Sequence, residues 1–503
     1  MKPKINIALV GAGRIADVHY PGYINNSRAR LYAVCDSDEA LARRRQKEWR
    51  CKRSFTDYQQ LLADPDLDAV EILTPQHLHL PMVEAAARAG KHIAVQKPMT
   101  TSLPLADRMI RACREAGVVF KVTDNYLFYP PLQKARELIQ SGRIGEPSGV
   151  RIKLISGGKG GWPIPPAAWQ WRLAEKEQGR GLQTFDHGHH LWTTAWYLLG
   201  DFYKVKAWID YADGIIDCPA TVIWRYAVSK AHGVCEFQHS PELRIPSQYY
   251  ANDEWMEITG TRGILFIHRC TGEIHQGPVL SVFDDQGMQS YDQIPSDWVE
   301  GFKGSLMNFV DAIEGRADPL LTGAAGRHIL SFSLAAGRSA ALGREVYLSE
   351  MDAFWPGLEY HRQRSRERRR HPRHQARSRL WQWFGAAADA RYADQAADLT
   401  RELLAAYDPH QDPDWSALVV LRLTGQGSVG DQIFCIQIGD GKAGFLSAEK
   451  KWQPDLEIVV PAGTWAMILL KKKRIETAFL QRKVKILTGK AEEALKLRAV
   501  FGL

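Results

Sequence analysis

Long apolar runs, paired cysteines and internal repeats are all missing from this sequence. No stretch approaches the ~18 consecutive apolar residues of a membrane-spanning helix, so a soluble chain is expected. The seven cysteines (Cys35, Cys51, Cys113, Cys218, Cys235, Cys270, Cys435) are scattered, odd in number, and form no C-x-x-C pair. That speaks against a disulfide framework or a zinc site and fits a reducing cytoplasm. The opening MKPKINIALVGAG runs from a short apolar stretch straight into a glycine turn. It lacks the longer apolar core and cleavage site of a signal peptide. A peripheral visit to a membrane stays open.

The 503 residues suffice for about three domains at roughly 100–200 residues each. The net charge of +8 is unevenly spread, with a dense arginine run at 361–379, HRQRSRERRRHPRHQARSR. Its first reading is a solvated linker. Its second is contact with anionic lipid head groups, worth ~1 kcal/mol per basic residue near such a surface. No nucleic-acid-binding motif lies beside it, so RNA or DNA contact ranks last.

Apolar β-branched runs alternate with helical text through the first 125 residues. INIALV (5–10), LYAVCD (31–36), DAVEILTP (68–75), KHIAVQKP (91–98) and VVFKVTDN (118–125) read as strands. Residues 14–26, 80–91 and 105–117 read as helices. Such alternation predicts a parallel sheet covered on both faces. After about residue 150, strand-like runs follow one another, and two late helical stretches (305–315 and 324–343) come after them. That pattern predicts an α+β domain with an open, largely antiparallel sheet. The expected organisation is an α/β Rossmann domain at 1–124, an α+β substrate and oligomerisation domain at 125–355, a linker at 356–380, and a third small α+β domain at 381–503.

Gly11-Ala12-Gly13-Arg14-Ile15-Ala16 is a G-x-G-x-x-A sequence between a strand and a helix. Its glycines let backbone N–H groups approach a pyrophosphate. Asp36 closes the second strand, where a carboxylate binds a ribose 2′-hydroxyl and repels a 2′-phosphate. NAD is therefore favoured over NADP, with Arg43, Arg44 and Arg45 as a complication.

Three further segments are Thr74-Pro75-Gln76-His77-Leu78-His79, Gly90 to Pro98 (GKHIAVQKP) and Asp186-His187-Gly188-His189-His190. In this order after the glycine turn, they resemble the Gfo/Idh/MocA oxidoreductases over about residues 3–350. The resemblance implies an NAD-dependent enzyme that moves a hydride between nicotinamide and a sugar, cyclitol or polyol hydroxyl. It also implies a homo-oligomer. The catalytic set maps to Lys97, Asp186 and His190, with His190 as base, Lys97 as electrostatic partner and Asp186 as substrate anchor. The cofactor set is Gly11, Gly13, Arg14, Ile15, Ala16, Asp36, Thr74, Pro75, His79, Gln96, Lys97 and Asn125. The substrate set adds Tyr126, Trp162, Trp169, Arg172 and Arg180. No metal is expected; a site built from Asp186, His187, His189 and His190 is the alternative.

The chemistry asks for the same types. Histidine is the natural base near neutral pH. A lysine at the carboxyl end of the fourth strand sits where open α/β sheets place ligands. Asp186 and His190, four apart, would share one face of a helix. The usual Glu before the lysine is Gln96 here. With that carboxylate gone, Lys97 is expected to give up its proton more readily than in relatives, with activity retained. Trp162 and Trp169, in the loop-like GGWPIPPAAWQW, are the expected pocket tryptophans.

In the tail at 381–503, the stretch Asp431–Ser447, then Gln453-Pro454-Asp455-Leu456-Glu457-Ile458, then Gly489 and a closing helix resemble the sterol-carrier-protein-2 fold in pattern and order, which implies a lipid in an apolar tunnel. A lipid-linked or membrane-presented substrate would follow. Two other whole-protein readings are a non-catalytic sensor of NAD(H) and lipid, and a membrane-associated scaffold.

Overall fold

The computed structural model describes residues 4–164, 166–211, 214–351, 392–408, 415–425, 430–447, 452–470, 478, 484–489, 493, 496–497 and 500–501. The arginine run at 361–379 lies outside the described residues. The chain divides into two compact units, Met1–Gln363 and Arg364–Leu503.

In the first unit, six parallel strands form one sheet: β1 (Ile5–Val10), β2 (Ala29–Cys35), β3 (Arg53–Phe55), β4 (Ala69–Ile72), β5 (His92–Gln96) and β6 (Phe120–Thr123). Their order is β3-β2-β1-β4-β5-β6. Every residue of β1 is buried, as a strand covered on both faces requires. The order reverses between β1 and β4, and such a switch point opens a crevice at the strands' carboxyl ends.

The expected helix over 14–26 is much shorter. α1 spans only Ala16–His19 and passes into a 3₁₀ turn at Tyr20–Tyr23. Pro21 has no N–H to continue the helix. A Cβ on Gly22 would meet the Leu306 side chain at 2.9 Å, so the bend also lets another helix approach. Helices α2 (Glu39–Trp49), α3 (Tyr58–Leu62), α4 (His79–Arg88) and α5 (Leu103–Glu115) complete the wrapping. α2 was not read from the sequence, because its arginine-rich exposed face hides the apolar period; Asp38 caps it by accepting from the Leu41 N–H at 3.0 Å.

Beyond α6 (Pro130–Gln140), a second sheet holds nine strands. They are β7 (Pro147–Lys159), β8 (Phe202–Ile209), β9 (Ala220–Tyr226), β10 (His232–Arg244), β11 (Asn252–Gly260), β12 (Gly263–Ile267), β13 (Leu280–Asp284), β14 (Gly287–Tyr291) and β15 (Val346–Tyr347). Their order is β14-β13-β12-β11-β7-β10-β9-β8-β15. Only β7 and β10 pair in parallel, so the sheet is largely antiparallel, as expected. The β13–β14 hairpin and the short β15 escaped the sequence reading; β14 has no buried residue and so no apolar alternation.

Helices α7 (Pro166–Glu177), α8 (Gly188–Leu199), α9 (Val299–Ile313) and α10 (Gly323–Leu342) complete the unit. α9 returns to the first sheet, where Leu306, Phe309 and Val310 pack with Ile7 and Leu9. One buried cluster includes Val95 and Val122 of the first sheet and Leu154 and Phe237 of the second. The boundary expected at residue 124 therefore falls within a shared core.

The second unit has a five-stranded sheet of its own: β16 (Ala417–Thr424), β17 (Gln432–Gly439), β18 (Lys442–Leu446), β19 (Leu456–Pro461) and β20 (Lys485–Thr488), in the order β18-β17-β16-β19-β20. Asp440 and Gly441, both at positive φ (52° and 68°), make the tight turn between β17 and β18. Helices α11 (Ala396–Glu402) and α12 (Ala462–Leu469) join a separate core around Trp465, whose indole N–H donates to Thr400 Oγ1 at 2.9 Å.

Candidate active site

The glycine turn begins where β1 ends. Gly11 sits at φ 94°, and a Cβ there would press on the Leu73 and Thr74 backbone at 3.1–3.2 Å. Gly13 has open space where its side chain would be. Asp36 accepts from the Ala12 N–H at 2.7 Å and the Asp38 N–H at 3.0 Å. Its carboxylate thus lies against the turn, where a ribose would be read. Ala16 is buried and Ile15 half-buried, and both side chains pack into the core. Arg14 stacks over the Trp162 ring at 4.7 Å. Arg43, Arg44 and Arg45 each meet a carboxylate: Glu39, Glu48, and both Asp17 and Glu48.

Thr74 and Pro75 follow β4, and His79 pins them from behind. Its Nε2 lies 2.7 Å from the Thr74 carbonyl and its Nδ1 3.1 Å from that of Met99. Burial pushes the imidazole down to about 4, so it is neutral. His79 supports the loop and does not face the crevice. Gln96, also buried, accepts from the Lys97 N–H at 2.8 Å and places its amide nitrogen 3.2 Å from His19 Nε2.

Lys97 extends from the end of β5. Its ammonium donates to the Asp186 carboxylate at 3.1 Å and to the Asp186 carbonyl at 2.9 Å. The carboxylate that Gln96 fails to supply is therefore supplied by Asp186, which the linear sequence could not place beside it. Burial would raise the Asp186 carboxyl, but Lys97 and Arg172 hold it well below the usual range. Arg172 Nε lies 3.3 Å from the other carboxylate oxygen.

Asp186 belongs to a π-helical turn, Leu182–His187, which runs into α8. The shared helical face expected for Asp186 and His190 does not form in that sense: Asp186 turns to Lys97, while His190 turns to Asp124. Such single π turns recur at functional sites. Asp217 holds this one, accepting from the Gln183 and Thr184 N–H groups at 2.7 Å each. A Cβ on Gly181 would overlap the Asp217 carboxylate.

His190 Nδ1 lies 2.8 Å from Asp124 Oδ1. Burial lowers the imidazole below its ordinary range, with Asp124 opposing and Lys97 assisting. Burial would raise the Asp124 carboxyl, but His190 and the Tyr126 N–H bring it below the usual range. Asp124 is thus ionised beside a neutral imidazole. Its second oxygen is buried with no partner, as are both side-chain polar atoms of Asn125. Orphaned polar atoms beside the crevice call for a ligand, and the amide of Asn125 suits a nicotinamide carboxamide. α9 approaches this point closely: a Cβ on Gly301 would overlap the Asn125 carbonyl.

Tyr126 is fully buried behind His190, stacked at 4.5 Å between ring centres, and has no surface for substrate. Trp162 meets Tyr249 and Tyr250 edge-on and packs against the core. Trp169 lies in α7 rather than in a loop, since Pro166 opens a helix instead of blocking one. Arg180 is bound to Glu175 of the same segment and is not brought to Lys97 or Asp186 by any described contact. The four side chains of the alternative metal reading turn to four partners: Asp186 to Lys97, His187 to Glu254, His189 to the Phe185 carbonyl and His190 to Asp124. Sequence reasoning missed Asp124, Asp217 and Glu254. Asp124 alone carried a signal, as an acid closing a buried strand in the manner of Asp36.

Residues 5–124 match the family model described as an oxidoreductase family with an NAD-binding Rossmann fold, and residues 132–266 match the GFO/IDH/MocA C-terminal domain. The chain is 28% identical over 340 residues to 1,5-anhydro-D-fructose reductase of Ensifer adhaerens, covering 67% of this chain and 96% of that protein. It is 24% identical over 352 residues to myo-inositol 2-dehydrogenase of Thermotoga maritima, covering 69% and 99%. Among solved structures, levoglucosan dehydrogenase in complex with NADH and levoglucosan aligns with a TM-score of 0.60 at 23% identity, over 69% of this chain and all of that one. An NAD-binding oxidoreductase from Klebsiella pneumoniae aligns with a TM-score of 0.59 at 25% identity, over 69% and 99%.

Proposed function

Since the chain belongs, through residues 5–124 and 132–266, to the Gfo/Idh/MocA oxidoreductases, we propose that it is an NAD-dependent dehydrogenase of sugar, cyclitol or polyol hydroxyls, with Lys97 and the Asp124–His190 pair at its reacting centre. The observation that carries this reading is the meeting of two carboxylate contacts. Lys97–Asp186 at 3.1 Å joins the end of β5 to the turn leading into α8, and His190–Asp124 at 2.8 Å joins the end of β6 to α8 itself.

When bound, nicotinamide accepts the hydride that leaves the carbinol carbon. The chain's own residues handle the proton and the charge. Asp124 fixes the His190 proton on Nδ1 and leaves Nε2 to take the hydroxyl proton. The Lys97 ammonium faces the alkoxide charge as it develops, and Asp186 with Arg172 holds that ammonium in place. Asp186 thus anchors the lysine as well as any substrate.

The test is NAD reduction with myo-inositol, levoglucosan and 1,5-anhydro-D-glucitol. Turnover that falls about 10²-fold or more in Lys97→Ala is expected. A protein that binds NADH, turns over none of the three and is indifferent to Lys97→Ala would be a sensor instead.

For the second unit, the reading is a sterol-carrier-like lipid module, supported by its small sheet, flanking helices and separate apolar core. Native mass spectrometry of residues 364–503 with lipids tests it; absence of any bound apolar ligand removes it, and with it the idea of a lipid-linked substrate.

A further inference from the structure

We propose that His187 reads the hydroxyl next to the one being oxidised, so that the preferred substrates carry hydroxyls on neighbouring carbons. This rests on the dehydrogenase reading and narrows its substrate class.

His187 closes the same π-helical turn as Asp186, and its ring lies 5.5 Å from that of His190, edge to face at 72°. Its Nε2 is 2.7 Å from Glu254 Oε1. Glu254 is completely buried, and its carboxylate accepts four more hydrogen bonds. Asn252 Nδ2 donates to Oε1 at 2.5 Å. Tyr126 OH, the Thr271 N–H and Thr271 Oγ1 donate to Oε2 at 3.0, 3.2 and 2.8 Å, and Tyr126 OH itself lies 2.9 Å from Thr271 Oγ1. Burial would raise this carboxyl, but His187 and these donors hold it below the usual range. Glu254 thus takes a hydrogen bond from the His187 Nε2–H and leaves Nδ1 as the second polar atom of the ring, able to meet a hydroxyl. Nδ1 meets no partner among the described residues, and the side chain keeps 16% of its surface accessible.

His190 is arranged as the mirror case. Its Nδ1 is held by buried Asp124, and its Nε2 is open. Tyr126 locks the two histidines together, stacking on His190 while its hydroxyl bonds to Glu254. Two neighbouring imidazoles, each anchored by a buried carboxylate and each with its other ring nitrogen left for a ligand, suit two neighbouring hydroxyls. A substrate with a single hydroxyl would leave Nδ1 of His187 unpaired, and sites built for a hydroxyl discriminate against ligands that lack it.

The experiment compares kcat/KM for cis- and trans-1,2-cyclohexanediol with that for cyclohexanol, in the wild type and in folded variants of the full chain. His187→Leu is expected to reduce the better diol-to-mono-ol ratio about 10- to 100-fold. His187→Gln, whose amide can face Glu254 and still offer an oxygen, is expected to keep part of it. Glu254→Gln tests the same idea without removing the imidazole: it takes the charged anchor from Nε2 and is expected to lower the ratio as well. A ratio unchanged within 2-fold in His187→Leu, or one lost equally in all three variants through a drop in Tm, overturns the proposal.

Saturation-transfer NMR of myo-inositol on the NADH-loaded protein separates the two levels. Binding that depends on His187 without turnover of any alcohol refutes the dehydrogenase reading and keeps the hydroxyl contact. No binding in wild type or variant refutes both.

Discussion

At the scale of single residues, protonation state decides the chemistry. His190, the proposed base, can take up a proton only when neutral, and burial places its pKa below the ordinary 6.5. Alcohol oxidation should therefore lose activity on the acid side only below about pH 6.5, since above that value the imidazole is already unprotonated. A pH profile of kcat/KM with an acid limb above pH 7 would contradict the assignment. Asp124→Asn should lower kcat about 10²- to 10⁴-fold with NADH affinity unchanged, because an amide cannot hold the same imidazole proton in place. Stopped-flow NADH binding alongside steady-state rates checks both halves. Lys97, Asp186 and His190 were legible from motif and order. Asp124 was not singled out, because its value lies in a partner 66 residues away.

Local elements carry strain and pH dependence of their own. The π-helical turn depends on a glycine that lets Asp217 in. Gly181→Ala should destabilise the fold by about 1–3 kcal/mol, the usual cost of overpacking, and should raise KM as Asp186 shifts. Thermal melting and kinetics on one preparation test this. A neutral result in both would mean that the turn tolerates displacement.

His79 and His189 are both pushed down to about 4 by burial. Each is neutral in the fold and takes up its proton near pH 6.5 when unfolded. Their contribution is therefore complete above pH 6.5 and is lost as pH falls from 6.5 towards 4. Urea titrations across that window should show falling stability, and His79→Gln should flatten the fall. Strand and helix positions were mostly readable at this scale. Among the elements cut short or left unread were α1, where Pro21 interrupts the period; α2, masked by arginines; and β14, which has no buried face.

For the whole molecule, two compact units imply two cooperative transitions. Calorimetry should show two transitions, and saturating NADH should raise only the one belonging to Met1–Gln363, because a ligand stabilises the unit that binds it. A chain ending at Gln363 should keep kcat/KM for a soluble polyol within about 2-fold, the difference a surface-neutral change leaves. A single transition, or loss of activity on truncation, would show that the units fold or act together.

The sequence by itself determined the cofactor turn, the alternation that makes a parallel sheet, and the residue types of the reacting centre. All of these depend on spacing along the chain, which periodicity and motif record directly. Only the tertiary structure decided which acid serves which base: Asp186 for Lys97, Asp124 for His190, Glu254 for His187. Those choices follow from sheet order and from a π turn that rotates neighbouring side chains apart, and burial then converts each meeting into a fixed charge state.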